Sequence, residues 1–144
     1  MFGPTSERDY SQKINQKMRK QALMMILADK LRAGRMIFVE ALASHAGEKT
    51  RQAAQLLEGL KKNIPALADL RLEPSRSRHH VYLASAEYSL AALRAFRNIP
   101  GVKFEEARNM HVLDALQYPY LIIDAAVAED LRARFQEKDS EKKS

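Results

Sequence analysis

A chain of 144 residues with 46% hydrophobic side chains has the size and apolar content of one compact domain, able to bury about two thirds of its unfolded surface without a staple. It holds no cysteine, which excludes disulfides and thiolate metal sites. Its 24 Lys and Arg against 18 Asp and Glu leave a net charge of +6, a balance that attracts polyanions, with nucleic acid and anionic membrane surfaces as the candidate classes.

The first nine residues are polar and turn-rich and carry no period. Met1-Phe2-Gly3-Pro4 lacks the charged-then-apolar order of a signal peptide, and apolar runs such as Leu23 to Ala28 are far too short to span a bilayer. A soluble intracellular protein is therefore expected. The spacing predicts a long helix from Asn15 to Ala33, with Asn15 as N-cap and Gly34 just past the end. Ile14, Met18, Ala22, Met25 and Ile26 form one apolar row and Leu23, Leu27 and Leu31 a second, so this helix is expected to pack a wide face against a large surface. Met36-Ile37-Phe38-Val39 reads as a buried strand, and Glu48 to Lys62 returns to helical spacing through Ala53, Leu56, Leu57 and Leu60. Pro65 and Pro74 bracket an irregular connection. His80 to Ala84 is a second strand, Glu87 to Arg97 a helix, and Val102 to Glu105 a third strand whose alternation places it near an edge. A short helix from His111 to Gln117 stops before Pro119, Tyr120 to Ile123 is the fourth strand, and Ala125 to Phe135 the last helix. Gln136 to Ser144 is almost wholly polar and is expected to be a disordered tail after a single globular domain over 1–135. A strand and helix in alternation calls for a parallel sheet with helices on both faces.

Several residue patterns resemble catalytic or metal sites and have plainer explanations. Gly47-Glu48-Lys49-Thr50 opens a helix after the first strand, where a phosphate loop would sit, but Glu48 stands where glycine is required and would repel a phosphate. A helix start with Glu48 favoured by the dipole is the better reading. His45, His79, His80 and His111 lack the spacing of a zinc site. Glu40, Glu105 and Asp124 fall at the strand ends where open α/β sheets bind ligands, yet no nucleophile with an adjacent base accompanies them. No catalytic residue, cofactor or metal is expected. The strongest physical signal is a basic stripe: Lys13, Lys17 and Lys20 recur at helical spacing, flanked by Arg8 and Arg19. Such a stripe meets backbone phosphates without reading sequence, although a solvated helix face is as good an account of the stripe alone. Arg71, Arg76 and Arg78 form a second cluster in the connection before the second strand.

The segment Arg8-Asp9-Tyr10-Ser11-Gln12-Lys13-Ile14-Asn15-Gln16-Lys17-Met18, followed by Ala22-Leu23, resembles the bacterial large-subunit ribosomal protein L-four family, with its Arg-Asp-Tyr turn and basic helix start. Further similarities follow in order: Met36 to Glu40 to the family's first central strand, and Lys49-Thr50-Arg51 to its Lys-Thr-Lys helix start. Arg97-Asn98-Ile99-Pro100, within Ala91 to Val102, is similar to its Ala-Arg-Asn-Leu-Pro segment. Asn109 to Leu116 and Ala125-Ala126-Val127 complete the series, so that the likeness runs from about Phe2 to Phe135. Each motif is modest, and their collinear order carries the resemblance.

The resemblance implies a three-layer α/β/α core with a four-stranded parallel sheet in the order 1-4-2-3. It implies a structural, non-enzymatic constituent of the large subunit that binds large-subunit ribosomal RNA during assembly and in the mature ribosome. Neighbouring large-subunit ribosomal proteins are the other implied partners, and the protein is expected to be monomeric outside the ribosome and not membrane-bound. Arg8, Lys13, Lys17, Arg19 and Lys20, with Arg76 and Arg78, become the expected RNA-contacting residues. The family begins with a further N-terminal segment and a long glycine- and arginine-rich loop toward the peptide exit tunnel; by the resemblance, Met1 to Pro4 stand where that loop returns to the core. The stretch from Ile64 to Arg78 is longer than in the family. The alternatives are a nucleotide- or small-ligand-binding α/β module and a free regulatory RNA-binding protein.

Overall fold

The computed structural model describes Asp9 and residues 11–45, 47, 49–67 and 80–140, with side chains as far as Arg132. Four strands, β1 (Met36–Val39), β2 (Val81–Ser85), β3 (Val102–Glu106) and β4 (Tyr120–Asp124), form one all-parallel sheet in the order β1-β4-β2-β3. The register sets Met36 beside Leu121, and Val81 between Tyr120 on one side and Val102 on the other. The expected sheet and its strand order are thus observed.

Period-two alternation divides the core between the two faces of the sheet. Val81, Leu83, Ile122, Val102 and Phe104 face α3 (Thr50–Asn63) and α4 (Leu90–Phe96). Leu57, Ala53, Ala92 and Phe96 close this layer, with the Phe96 and Phe104 rings stacked at 5.2 Å. Leu42, from the short α2 (Leu42–His45), packs in the same cluster. Tyr82, Ala84, Leu121 and Ile123 face the opposite layer, where α1 (Gln16–Arg32) contributes Leu27 and α6 (Ala125–Ser140) contributes Val127. Met110 and Tyr118, on either side of α5 (Val112–Gln117), complete that layer.

Helix ends follow local chemistry. Gly34 adopts φ +66°, and the Arg35 and Gly34 amides donate back to Lys30 and Leu31 carbonyls at 2.9 and 3.1 Å, a Schellman stop that a side chain at Gly34 would strain. Ser89 Oγ accepts from the Ala92 amide and starts α4 three residues later than Glu87, where the spacing places it. Asn15 occupies the N-cap of α1 without a side-chain cap bond.

Three expectations need correction. The wide apolar face of α1 is not buried: Leu27 and Lys30 are, Leu23 and Ile26 are half-buried, and Met18, Met25 and Leu31 are exposed. The reason is geometric, since the helix touches the sheet through one narrow line and its first half leans on the six-residue α5 instead. The first strand is an edge strand, not a buried one, and leaves Phe38 46% exposed beside an apolar groove lined by Met24, Leu31 and Leu131. The last helix runs past Phe135 to Ser140, consistent with the good helix propensities of Gln136, Glu137 and Lys138.

Candidate nucleic-acid interface

The basic residues singled out in the sequence divide into two groups. Arg8, Arg76 and Arg78 lie outside the described residues, as does Arg71. Lys13, Lys17, Arg19 and Lys20 are all exposed. Lys13 precedes the first turn of α1, so the three lysines are not one continuous helical stripe; Lys17 and Lys20, three residues apart, are neighbours on the helix surface. Arg19 points elsewhere, because two residues turn an α-helix by about 200°. Its Nη2 lies 2.7 Å from Nδ1 of His111, the residue that precedes α5. Just upstream, the Asp9 carboxylate accepts from the Ser11 amide at 2.8 Å and from its hydroxyl at 2.9 Å, an Asx-type turn that leads the chain toward the lysines. Those two hydrogen bonds hold the Asp9 carboxyl below its usual range.

Two further lysines, Lys30 and Lys103, serve the fold. Lys30 is buried at the end of α1 and its ammonium donates to the carbonyls of Tyr118 at 2.8 Å and Pro119 at 3.2 Å. Burial, then the Arg35 charge, pull its pKa below the usual lysine range, against a smaller opposing pull from Asp29. Lys103 on β3 bridges Asp114 at 2.8 Å and Glu105 at 3.1 Å, and the Tyr82 hydroxyl donates to the other oxygen of Glu105 at 3.0 Å. Burial lowers the Lys103 pKa, but the bonds and charges of Asp114 and Glu105 outweigh it, so the net shift is upward. Tyr82 is pushed far up by burial and by Glu105. The one available signal was the alternation of Lys103 and Glu105 on β3, which resembles a solvent face; α5 packs over part of it.

The strand-end carboxylates also have structural partners. Asp124 is buried and accepts from the Ala126 amide at 3.4 Å in the first turn of α6, and Glu105 belongs to the lysine cluster. At the C-terminal edge of the sheet, a cleft lined by Ala86, Glu106, Arg108 and Asp130 measures only about 20 Å³, the space of one or two waters. Glu106 and Arg108 pair there at 3.5 Å. Among the described residues no group of three His, Asp or Glu side chains converges as a metal site, and no helix is long and apolar enough to cross a membrane. The arrangement offers exposed cations on and before the first half of α1, and among the described residues no catalytic constellation stands beside them.

The profile of the Ribosomal protein L4/L1 family matches residues 1–134. The large ribosomal subunit protein uL4 of Desulforudis audaxviator is 37% identical over 123 residues, covering 85% of this chain and 51% of that protein. The uL4 of Natranaerobius thermophilus is 31% identical over 122 residues, with 85% and 51% covered, and that of Heliobacterium modesticaldum is 34% identical over 123 residues, again with 85% and 51% covered. The chain thus spans about half the length of the curated relatives it matches. By a match that runs through every strand and helix of the sheet core, the chain belongs to the ribosomal protein L4/L1 family.

Proposed function

We propose that this chain is a structural constituent of the large ribosomal subunit that binds large-subunit ribosomal RNA, during assembly and in the mature particle, and that it performs no catalysis. The observation that carries this reading is the family match over residues 1–134, to relatives named as large-subunit proteins. The net charge of +6 and the exposed Lys13, Lys17, Arg19 and Lys20 support it, because flexible surface cations bind a polyphosphate without sequence readout. Arg8, Arg76 and Arg78 belong to the same proposed contact set. Residues 1–135 act as one globular unit, monomeric outside the ribosome, in the cytoplasm, with other large-subunit proteins as neighbours and without cofactor or membrane contact.

The test is binding to large-subunit ribosomal RNA fragments over a salt series. Each phosphate contact contributes about −0.7 to −0.9 to the slope of log K against log salt, so four or more contacts give a slope near −3 or steeper. Binding that does not respond to salt, or no binding to these fragments, overturns the reading.

A further inference from the structure

The groove between the start of α1 and α5 has a composition that packing does not explain. It encloses about 740 Å³, and its wall is apolar: Ile14, Met18 and Leu113 line it while standing 68%, 63% and 63% exposed. Arg19 and His111 meet in the same groove, Nη2 to Nδ1 at 2.7 Å. A guanidinium has only N–H donors, so in this contact the ring nitrogen faces it as the acceptor. The contact leaves the Arg19 charge uncompensated. Asp114 lines the groove too, but Lys103 engages it at 2.8 Å, and Arg19 makes no ion pair among the described residues. An apolar wall beside a cation that has no carboxylate partner among the described residues suits the two-part chemistry of an unpaired nucleotide, whose base packs on apolar surface while its phosphate takes positive charge. An apolar peptide in the same place would cover the wall but bury the Arg19 charge without a partner.

Resting on the reading of this chain as an RNA-binding protein, we propose that the α1–α5 groove holds one unpaired nucleotide of RNA, its base against Ile14, Met18 and Leu113 and its phosphate on Arg19. The phosphate replaces the His111 ring nitrogen as the acceptor for Arg19.

The experiment uses the full chain and a large-subunit ribosomal RNA transcript carrying 4-thiouridine, at fixed salt. Crosslinked peptides are identified by mass spectrometry and affinity is measured in parallel. The expected crosslinks fall within residues 14–22 and 111–114. Arg19→Gln should reduce them about tenfold, the scale of one lost charge-assisted contact, while leaving the melting temperature unchanged. If the transcript binds with ordinary salt dependence but groove crosslinks are absent, or persist undiminished in Arg19→Gln, the groove proposal falls and the RNA-binding reading stands. If the transcript does not bind the full chain at all, both fall.

Discussion

Lys30 is the cation whose removal the fold should feel most. It is only 9% exposed, and its two acceptors, the Tyr118 and Pro119 carbonyls, belong to the turn between α5 and β4. One side chain therefore ties the last turn of α1 to a central strand of the sheet. Lys30→Met keeps the apolar stem and deletes the donor. A hydrogen bond from a charged donor contributes about 1.5–3 kcal/mol, and stranding a buried acceptor costs a similar amount. The ammonium itself is costly to bury, as its lowered pKa indicates, and that relief offsets part of the loss. The net expectation for Lys30→Met is a destabilisation of about 1.5–3 kcal/mol, which in a domain of this length lowers Tm by roughly 5–10 °C. Lys30→Ala also loses the stem contacts and should cost about 1 kcal/mol more. Urea unfolding at neutral pH, followed by far-ultraviolet circular dichroism with equal slopes for all three proteins, measures both steps. If Lys30→Met proves as stable as the parent while Lys30→Ala does not, the stem and not the ammonium holds α1, and the reasoning is refuted.

The alkaline limb of stability should be steep. Tyr82, Tyr118 and Lys103 all have folded pKa values raised above their ordinary ones, so their contribution is full below the unfolded values, about 10 to 10.4, and is lost as pH rises through the folded values. Lys30, with a lowered value, acts in the opposite direction, one group against three. The urea midpoint should therefore fall between about pH 9.5 and 11, and a flat or rising midpoint contradicts the assignment. Ala41 holds φ +50°, so Ala41→Gly should raise stability by up to about 1 kcal/mol, while Gly34→Ala at φ +66° should lower it by about 1–2 kcal/mol; calorimetry reads both. Replacing Lys13, Lys17 and Lys20 together with Gln should weaken RNA binding and move Tm by only a few degrees, since each is an exposed substitution worth about ±0.5 kcal/mol. A triple variant that unfolds, with its folded remainder binding normally, would mark the lysines as structural.

The strands were legible because each is a short apolar run set between turn residues, and their number and alternation with helices already call for a parallel sheet. Strand order came from the resemblance, not from the pattern. β1 misled because an unbroken apolar tetrapeptide looks the same whether a helix covers both faces or the strand lies at an edge beside an open groove. The first helix misled for a related reason: its rows of methionine and leucine mark where apolar surface lies, not which row finds a partner. The start of the first helix was legible as well, since Asn15 as N-cap makes Gln16 the first helical residue, and that start leaves Lys13 outside the helix. Pairings such as Arg19 with His111, 92 residues apart, or Lys30 with Tyr118, 88 apart, arise only from the packing of α1 against α5 and the turn that follows it.

The central claim is membership of the large ribosomal subunit, and the most direct measurement is quantitative mass spectrometry of ribosomal particles purified on sucrose gradients from cells that make this protein. The account predicts peptides of this chain in the large-subunit fraction at the abundance of its other proteins, retained through a moderate salt wash. Recovery of the chain only from ribosome-free fractions, or at a small fraction of the other subunit proteins, would contradict it.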